Sequence, residues 1–106
     1  MEEKIKYSIK DKTMIIELGK ELDHHNAVAL TQEIDRNIYS GNIKNIIFDF
    51  KNTTFMDSSG IGVILGRNRL LKNAGGIIGV ANLNRNIDRI LTMSGIYKIV
   101  KKVTEI

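Results

Sequence analysis

The densest chemistry in the chain lies in Asp57-Ser58-Ser59-Gly60-Ile61-Gly62, where a carboxylate and two hydroxyls sit directly ahead of a glycine-bearing apolar stretch. The segment falls between a β-branched run and a helical stripe, the kind of turn at which open α/β sheets meet ligands and partners. One reading is capping, with Asp57, Ser58 or Ser59 accepting bonds from the free amides of the following helix. A second reading adds a modification site. A hydroxyl at a helix N-terminus is well placed to carry a phosphate, because backbone amides and the positive dipole end offset part of its charge. The two readings are compatible.

Other constellations are weaker. Gly60, Gly62 and Gly66 give G-x-G-x-x-x-G rather than G-x-G-x-x-G, no acidic residue follows about twenty positions on, and no G-x-x-x-x-G-K-[ST] occurs. Both nucleotide fingerprints are rejected, and Gly62 and Gly66 are expected to let the helix backbone lie close against a sheet. In Glu21-Leu22-Asp23-His24-His25 the two histidines would point about 100° apart on a helix. With no cysteine to join them, they are read as solvated helix-start residues, not metal ligands. A Ser-His-Asp hydrolase needs a nucleophile elbow such as G-x-S-x-G, which is missing, so no catalytic residue is assigned and the chain is not read as an enzyme. Among Arg67, Arg69, Lys72, Arg85, Arg89, Lys98, Lys101 and Lys102 only Tyr97 is aromatic. That favours a solvated basic face over a nucleic-acid platform.

The elements that must position these residues are legible from periodicity. Ile5, Tyr7 and Ile9 alternate with Lys4, Lys6, Ser8 and Lys10, a strand with one wet face, and Thr13 to Leu18 reads as its hairpin return. Asp23 can cap a helix beginning at His24, in which Ala27, Leu30, Ile34 and Ile38 share a face and Gly41 is a left-handed stop. Ile43 to Phe50 is nearly continuous in apolar residues, as a strand covered on both faces would be. Ile61, Ile64, Leu65 and Leu71 form the stripe after Ser58, ended by Gly75-Gly76. A short strand over Ile77 to Ala81, a helix marked by Ile87, Ile90 and Leu91, and an edge strand from Tyr97 to Val103 complete the order β-β-α-β-α-β-α-β. Such alternation implies right-handed crossovers and a small α/β domain with a mostly parallel, mixed sheet of four to five strands.

Composition narrows the class. With 106 residues the chain suits a single domain over 1–106, and 42% hydrophobic residues are enough for one core without staples. No cysteine is present, which excludes disulfides, thiolate metal sites and cysteine nucleophiles. The longest stretch free of charged side chains, Asn73 to Asn84, is shorter than the roughly 20 apolar residues of a membrane span and is broken by glycines. The N-terminus lacks the apolar core of a signal peptide, so the expected location is cytoplasmic, with no membrane partner. The net charge of +4 is uneven: residues 54–106 carry eight basic groups against only Asp57, Asp88 and Glu105. A basic half can attract nucleic acid, anionic lipid or an acidic protein surface, and composition alone does not choose among the three.

Phe55-Met56-Asp57-Ser58-Ser59-Gly60-Ile61-Gly62-Val63-Ile64-Leu65-Gly66-Arg67 resembles the signature of bacterial anti-sigma factor antagonists, the anti-anti-sigma members of the STAS domain family. Glu21 to His25 and Met93-Ser94-Gly95-Ile96-Tyr97-Lys98-Ile99 resemble its sporulation branch, the stage II sporulation antagonists that release the forespore sigma factor. The resemblance implies a small α/β fold and a phosphorylated serine at Ser58. It implies a partner, an anti-sigma factor serine kinase bound to ATP or ADP, which the unmodified antagonist binds and thereby frees the sigma factor. It also implies a separate serine phosphatase, which acts on the phosphorylated form and restores the unmodified antagonist. Glu21, Asp23, His24, Asp57, Ser58, Ser59, Gly60, Gly62 and Arg67 would form the partner-binding set, with no cofactor and no direct nucleic-acid contact. Alternatives in the same frame are a general-stress or orphan antagonist of another kinase, or a STAS module sensing a nucleotide or other anionic ligand. Lys20 departs from the family's usual glycine before Glu-Leu-Asp, and the chain stops soon after the last strand, where longer relatives carry a further helix.

Overall fold

The computed structural model of the chain describes residues 5–104, so Lys4 of the expected first strand and Glu105 lie outside the described residues. The hairpin pairs as expected, with β1 (Lys6–Lys10) antiparallel to β2 (Thr13–Glu17), but β1 is an edge strand exposed on both faces, Tyr7 and Ile9 included, and not a strand with one wet face. Asp11 and Lys12 turn it with φ of 51° and 62°, the left-handed pair whose twist matches that of the flanking strands. There follow β3 (Glu21–Leu22), α1 (His24–Tyr39), β4 (Asn45–Asp49), β5 (Phe55–Met56), α2 (Ser58–Lys72), β6 (Ile78–Ala81), α3 (Arg85–Ser94), a 3-10 turn (Ile96–Lys98) and β7 (Lys101–Val103). The main sheet has the order β1-β2-β4-β6-β7, parallel throughout except for β1. β3 and β5 make a second, two-stranded parallel sheet.

The core follows from strand register. Met14, Ile46 and Ile78 are cross-strand neighbours, as are Ile16, Phe48 and Val80, and all six are 0% exposed. Extending the second row outward gives Tyr7 on β1 and Lys102 on β7. The Tyr7 hydroxyl donates to Glu33 of α1 at 2.7 Å, and the Lys102 ammonium lies 3.1 Å from Asp88 of α3. Helices therefore cover the same face at both edges of the sheet. The chain steps β2, β4, β6, β7 in one direction, and right-handed crossovers then place every connecting helix on that side.

This topology corrects the expectation that the fourth strand is covered on both faces. Ile46, Phe48 and Phe50 are fully buried under the helices, whereas Ile47 points to the other face and is half-buried. Its apolar run belongs to two faces, only one of them roofed. The last strand is also shorter than the span from Tyr97 to Val103. Gly95 takes a left-handed φ of 76° after α3, and the chain then winds once more, with the Val100 amide donating to the Ile96 carbonyl at 3.0 Å. Ile96 and Val100 are buried at this helical spacing, so only Lys101–Val103 remain to pair with β6. Among the described residues no helix is long and apolar enough to cross a membrane.

Candidate functional site

The small sheet brings two helix beginnings together. Leu22 of β3 pairs with Met56 of β5, and the next residue on each strand, Asp23 and Asp57, caps the helix that follows it. Both caps have extended backbone, with φ of −125° for Asp23 and −107° for Asp57, as N-cap residues do. The Asp23 carboxylate accepts the Asn26 amide at 3.1 Å. Asp57 does more: one oxygen accepts the Ser59 amide of its own helix at 2.8 Å, and the other accepts the His24 amide of α1 at 3.3 Å. A single carboxylate thus binds free amides from two convergent helix N-termini.

The electrostatics follow from this geometry. Partial desolvation pushes the Asp57 carboxyl up, but the bonds from the Ser59 and His24 amides, with the Ser59 hydroxyl and the Gly60 amide close by, outweigh it. Its pKa therefore lies below the ordinary carboxylate value, and Asp57 is an anion at neutral pH. Ser59 faces that carboxylate, whereas Ser58 is exposed and no hydrogen bond to its hydroxyl forms among the described residues. Of the two serines, Ser58 is the one with a free, accessible oxygen.

Most of the residues singled out from sequence meet here. Glu21 is exposed beside Phe55, its register partner, and its carbonyl accepts the Asn26 side-chain amide at 3.0 Å. His24 is exposed at the start of α1. Gly60 is buried, and Gly62 is exposed one turn beyond Ser58 on the same side of α2. Lys20 is exposed in the preceding loop, where its carbonyl accepts the Thr54 amide at 2.8 Å, so a side chain is accommodated at this position.

Two expectations change. Arg67 is not at the Ser58 end: it lies nine residues along α2, about 13 Å at the helical rise. Its guanidinium is committed to α1, with Nε 2.9 Å from Asp35, a further bond to Asp35 at 3.4 Å and one to the Thr31 hydroxyl at 3.2 Å. The close Nε approach is ionic, being misaligned for a hydrogen bond. Gly62 and Gly66, expected to allow close packing, face open space, with nothing within 4 Å of a Cβ built on either. The close approach occurs at Gly60, where a Cβ would lie 2.5 Å from Met56 Cγ and 3.0 Å from Leu22 Cγ. The reason is position: the third residue of α2 passes directly over the small sheet, and later residues turn away.

Sequence reasoning passed over Phe55, which is 48% exposed in β5 beside the serine turn. Its alternation with buried Met56 was the available signal, but two residues are too few to establish a period. Also missed were Asn84 and Asn86, whose side-chain amides donate to the Thr53 and Thr54 carbonyls at 2.7 and 3.4 Å and fasten the start of α3 to this loop. Among the described residues no group of three or more His, Cys, Asp or Glu is arranged to hold a metal ion.

Comparison with known proteins places the chain in a family. The STAS domain matches over residues 4–105. The anti-sigma F factor antagonist of Paenibacillus polymyxa is 42% identical over 86 residues, covering 81% of this chain and 74% of that protein. The structure is similar to that of the anti-sigma factor antagonist SpoIIAA in its unphosphorylated form, with a TM-score of 0.79 at 27% identity over 96% of this chain and 90% of the other. It is equally similar to Bacillus SpoIIAA in the phosphorylated form, with a TM-score of 0.78 at 31% identity, covering 96% and 93%. With a domain match along nearly its whole length and a relative of this similarity, the chain belongs to the STAS domain family.

Proposed function

We propose that the protein is a cytoplasmic anti-sigma factor antagonist switched by phosphorylation of Ser58. In its unmodified form it binds an anti-sigma factor that is also a serine kinase, with ATP or ADP bound, and so releases a sigma factor, that of the sporulating forespore. The kinase phosphorylates Ser58 and the antagonist lets go; a serine phosphatase reverses the modification. The protein is thus a substrate and a binding partner, and catalysis belongs to the kinase. The observation that carries this reading is the exposed Ser58 hydroxyl beside Asp57, with the first residues of α1 fixed alongside by the shared carboxylate. The names of the similar antagonists support it.

The physical basis is electrostatic. Phosphorylation turns a neutral hydroxyl into a group of about −1.5 to −2 charge with three strong acceptor oxygens. The start of α2 tolerates that charge in the free protein, because its amides and dipole favour an anion. Inside an interface the same phosphate, next to the Asp57 anion, must shed water without gaining a new cation. An uncompensated buried charge costs several kcal/mol, and each 1.4 kcal/mol is about tenfold in affinity. Little change of fold is needed. Glu21, Asp23, His24, Ser59, Gly60 and Gly62 would surround Ser58 on the docking face.

Incubation with the anti-sigma kinase and Mg-ATP, followed by peptide mapping by mass spectrometry, tests the assignment. Phosphate on Ser58, and its loss in Ser58→Ala, is the expected result. Modification elsewhere with Ser58 untouched would sink it.

A further inference from the structure

The basic excess of the C-terminal half resolves into separate fates. Arg67 is held by Asp35, and Lys102 by Asp88 with its ammonium 4.7 Å from the Tyr97 ring centroid. Arg69 and Lys72 occupy the last turn of α2, the end remote from Ser58. Lys98 is exposed at the end of the 3-10 turn, and Lys101 shares a sheet face with Gly79, opposite the helices. Arg85 and Arg89 differ. Both are exposed on α3, no carboxylate among the described residues pairs with either, and the start of α3 is fastened to Thr53 and Thr54 beside Phe55.

Helical spacing extends this patch. Arg85 and Arg89 are one turn apart, and Asn86, which bonds the Thr54 carbonyl, lies two turns before Met93 on a neighbouring stripe. Met93 is 78% exposed and Phe55 48% exposed, large apolar side chains at either end of a basic strip. The one acidic residue of α3, Asp88, is turned to Tyr97 and Lys102 and leaves the arginines unneutralised.

We infer that Phe55, Arg85, Arg89 and Met93 form a second docking element, continuous with the serine turn, that fits an acidic patch with an apolar seat on the anti-sigma factor. The unneutralised basic charge of the strip and its attachment to the loop beside Ser58 point to this partner, and the inference rests on the functional reading above. The two arginines act on encounter, and the apolar pair acts on retention.

The test uses the whole chain and the anti-sigma F factor encoded by the same genome, with association and dissociation rates measured at about 50 mM and about 150 mM salt. For R85E/R89E, association is expected to fall about tenfold at the lower salt and to lose most of its salt dependence. R69E/K72E, at the far end of α2, is expected to stay within about twofold of the original protein. Met93→Ser is expected to speed dissociation about tenfold with association unchanged. Urea unfolding of each variant checks the fold, which is expected to be intact because all five substituted positions are exposed. Binding by the unaltered chain with R85E/R89E no worse than R69E/K72E overturns the docking strip. Failure of the unaltered chain to bind overturns the functional reading instead. Duplex DNA bound at physiological salt by the unaltered chain and released by R85E/R89E would overturn a protein partner for the strip.

Discussion

Three glycines in one helix should respond to alanine with opposite signs. In a helix interior, alanine in place of glycine gains about 1 kcal/mol because it restricts the unfolded chain and favours the helix. Gly62 and Gly66 of α2 have open space where a Cβ would go, so each should realise most of that gain. At Gly60 the new Cβ would lie 2.5 Å from Met56 Cγ, 2.8 Å from its sulfur and 3.0 Å from Leu22 Cγ, all inside the normal contact range of about 3.5–4.0 Å. Neither neighbour can swing into solvent, since Met56 is 3% and Leu22 2% exposed. Overpacking of this kind costs about 1–3 kcal/mol, which leaves Gly60→Ala about 1 kcal/mol less stable after the helix gain. The spread between Gly60→Ala and Gly62→Ala is then about 2 kcal/mol, or about 10 °C in melting temperature for a domain of this size. Thermal and urea unfolding of the three variants would measure it. Because Met56 directly precedes Asp57, Gly60→Ala should also slow phosphorylation of Ser58, whereas Gly66→Ala should not. A Gly60→Ala protein as stable as Gly62→Ala would refute the close approach of α2 to the small sheet.

Asp57→Ala removes the acceptor for two amides on different helices, so it should lower the urea midpoint and loosen the His24 amide, read as faster hydrogen exchange there and at Ser59. The folded-state pKa of Asp57 is lowered, so its stabilisation is full above the ordinary carboxylate value and is lost as pH falls through the lowered one. Asp57→Ala should accordingly flatten part of the acid limb of the stability profile, and an unchanged limb would contradict the double cap. Arg67→Ala should cost about 1–2 kcal/mol, between an exposed and a buried ion pair, because it unties α2 from α1. Its affinity for the anti-sigma factor should change little, and a large loss of binding at unchanged stability would place Arg67 in the interface after all. Burial and the hydrogen bond to Asp88 raise the Tyr97 pKa well above its usual value. Ultraviolet titration should therefore show a late-ionising step that vanishes in Tyr97→Phe.

Local signals carried much of the fold and half of the site. Asp23 and Asp57 were readable as caps because an N-cap needs only a short acceptor before an apolar periodic run. The hairpin, three helices and parallel strands followed from two periods, 2 and 3.6, over segments long enough to display them. What escaped depends on contacts between distant residues. Leu22 meets Met56 in a sheet two residues wide, and only that pairing lets one carboxylate serve both helices. Gly60 was misjudged against Gly62 and Gly66 for the same reason, since what lies beneath a helix cannot be seen from within it. Ile47 shows a further gap. An apolar run looks alike whether one face is roofed or two, and the choice was made by the one-directional order of the strands.

The most direct measurement is the affinity of the anti-sigma factor for the protein with and without phosphate on Ser58, determined on the two purified forms under one set of conditions. An uncompensated phosphate in the interface should weaken binding by about 100-fold or more. Circular dichroism of the two forms should be alike, because the charge is borne at the start of α2 without refolding. Equal affinities of the two forms would contradict the switch.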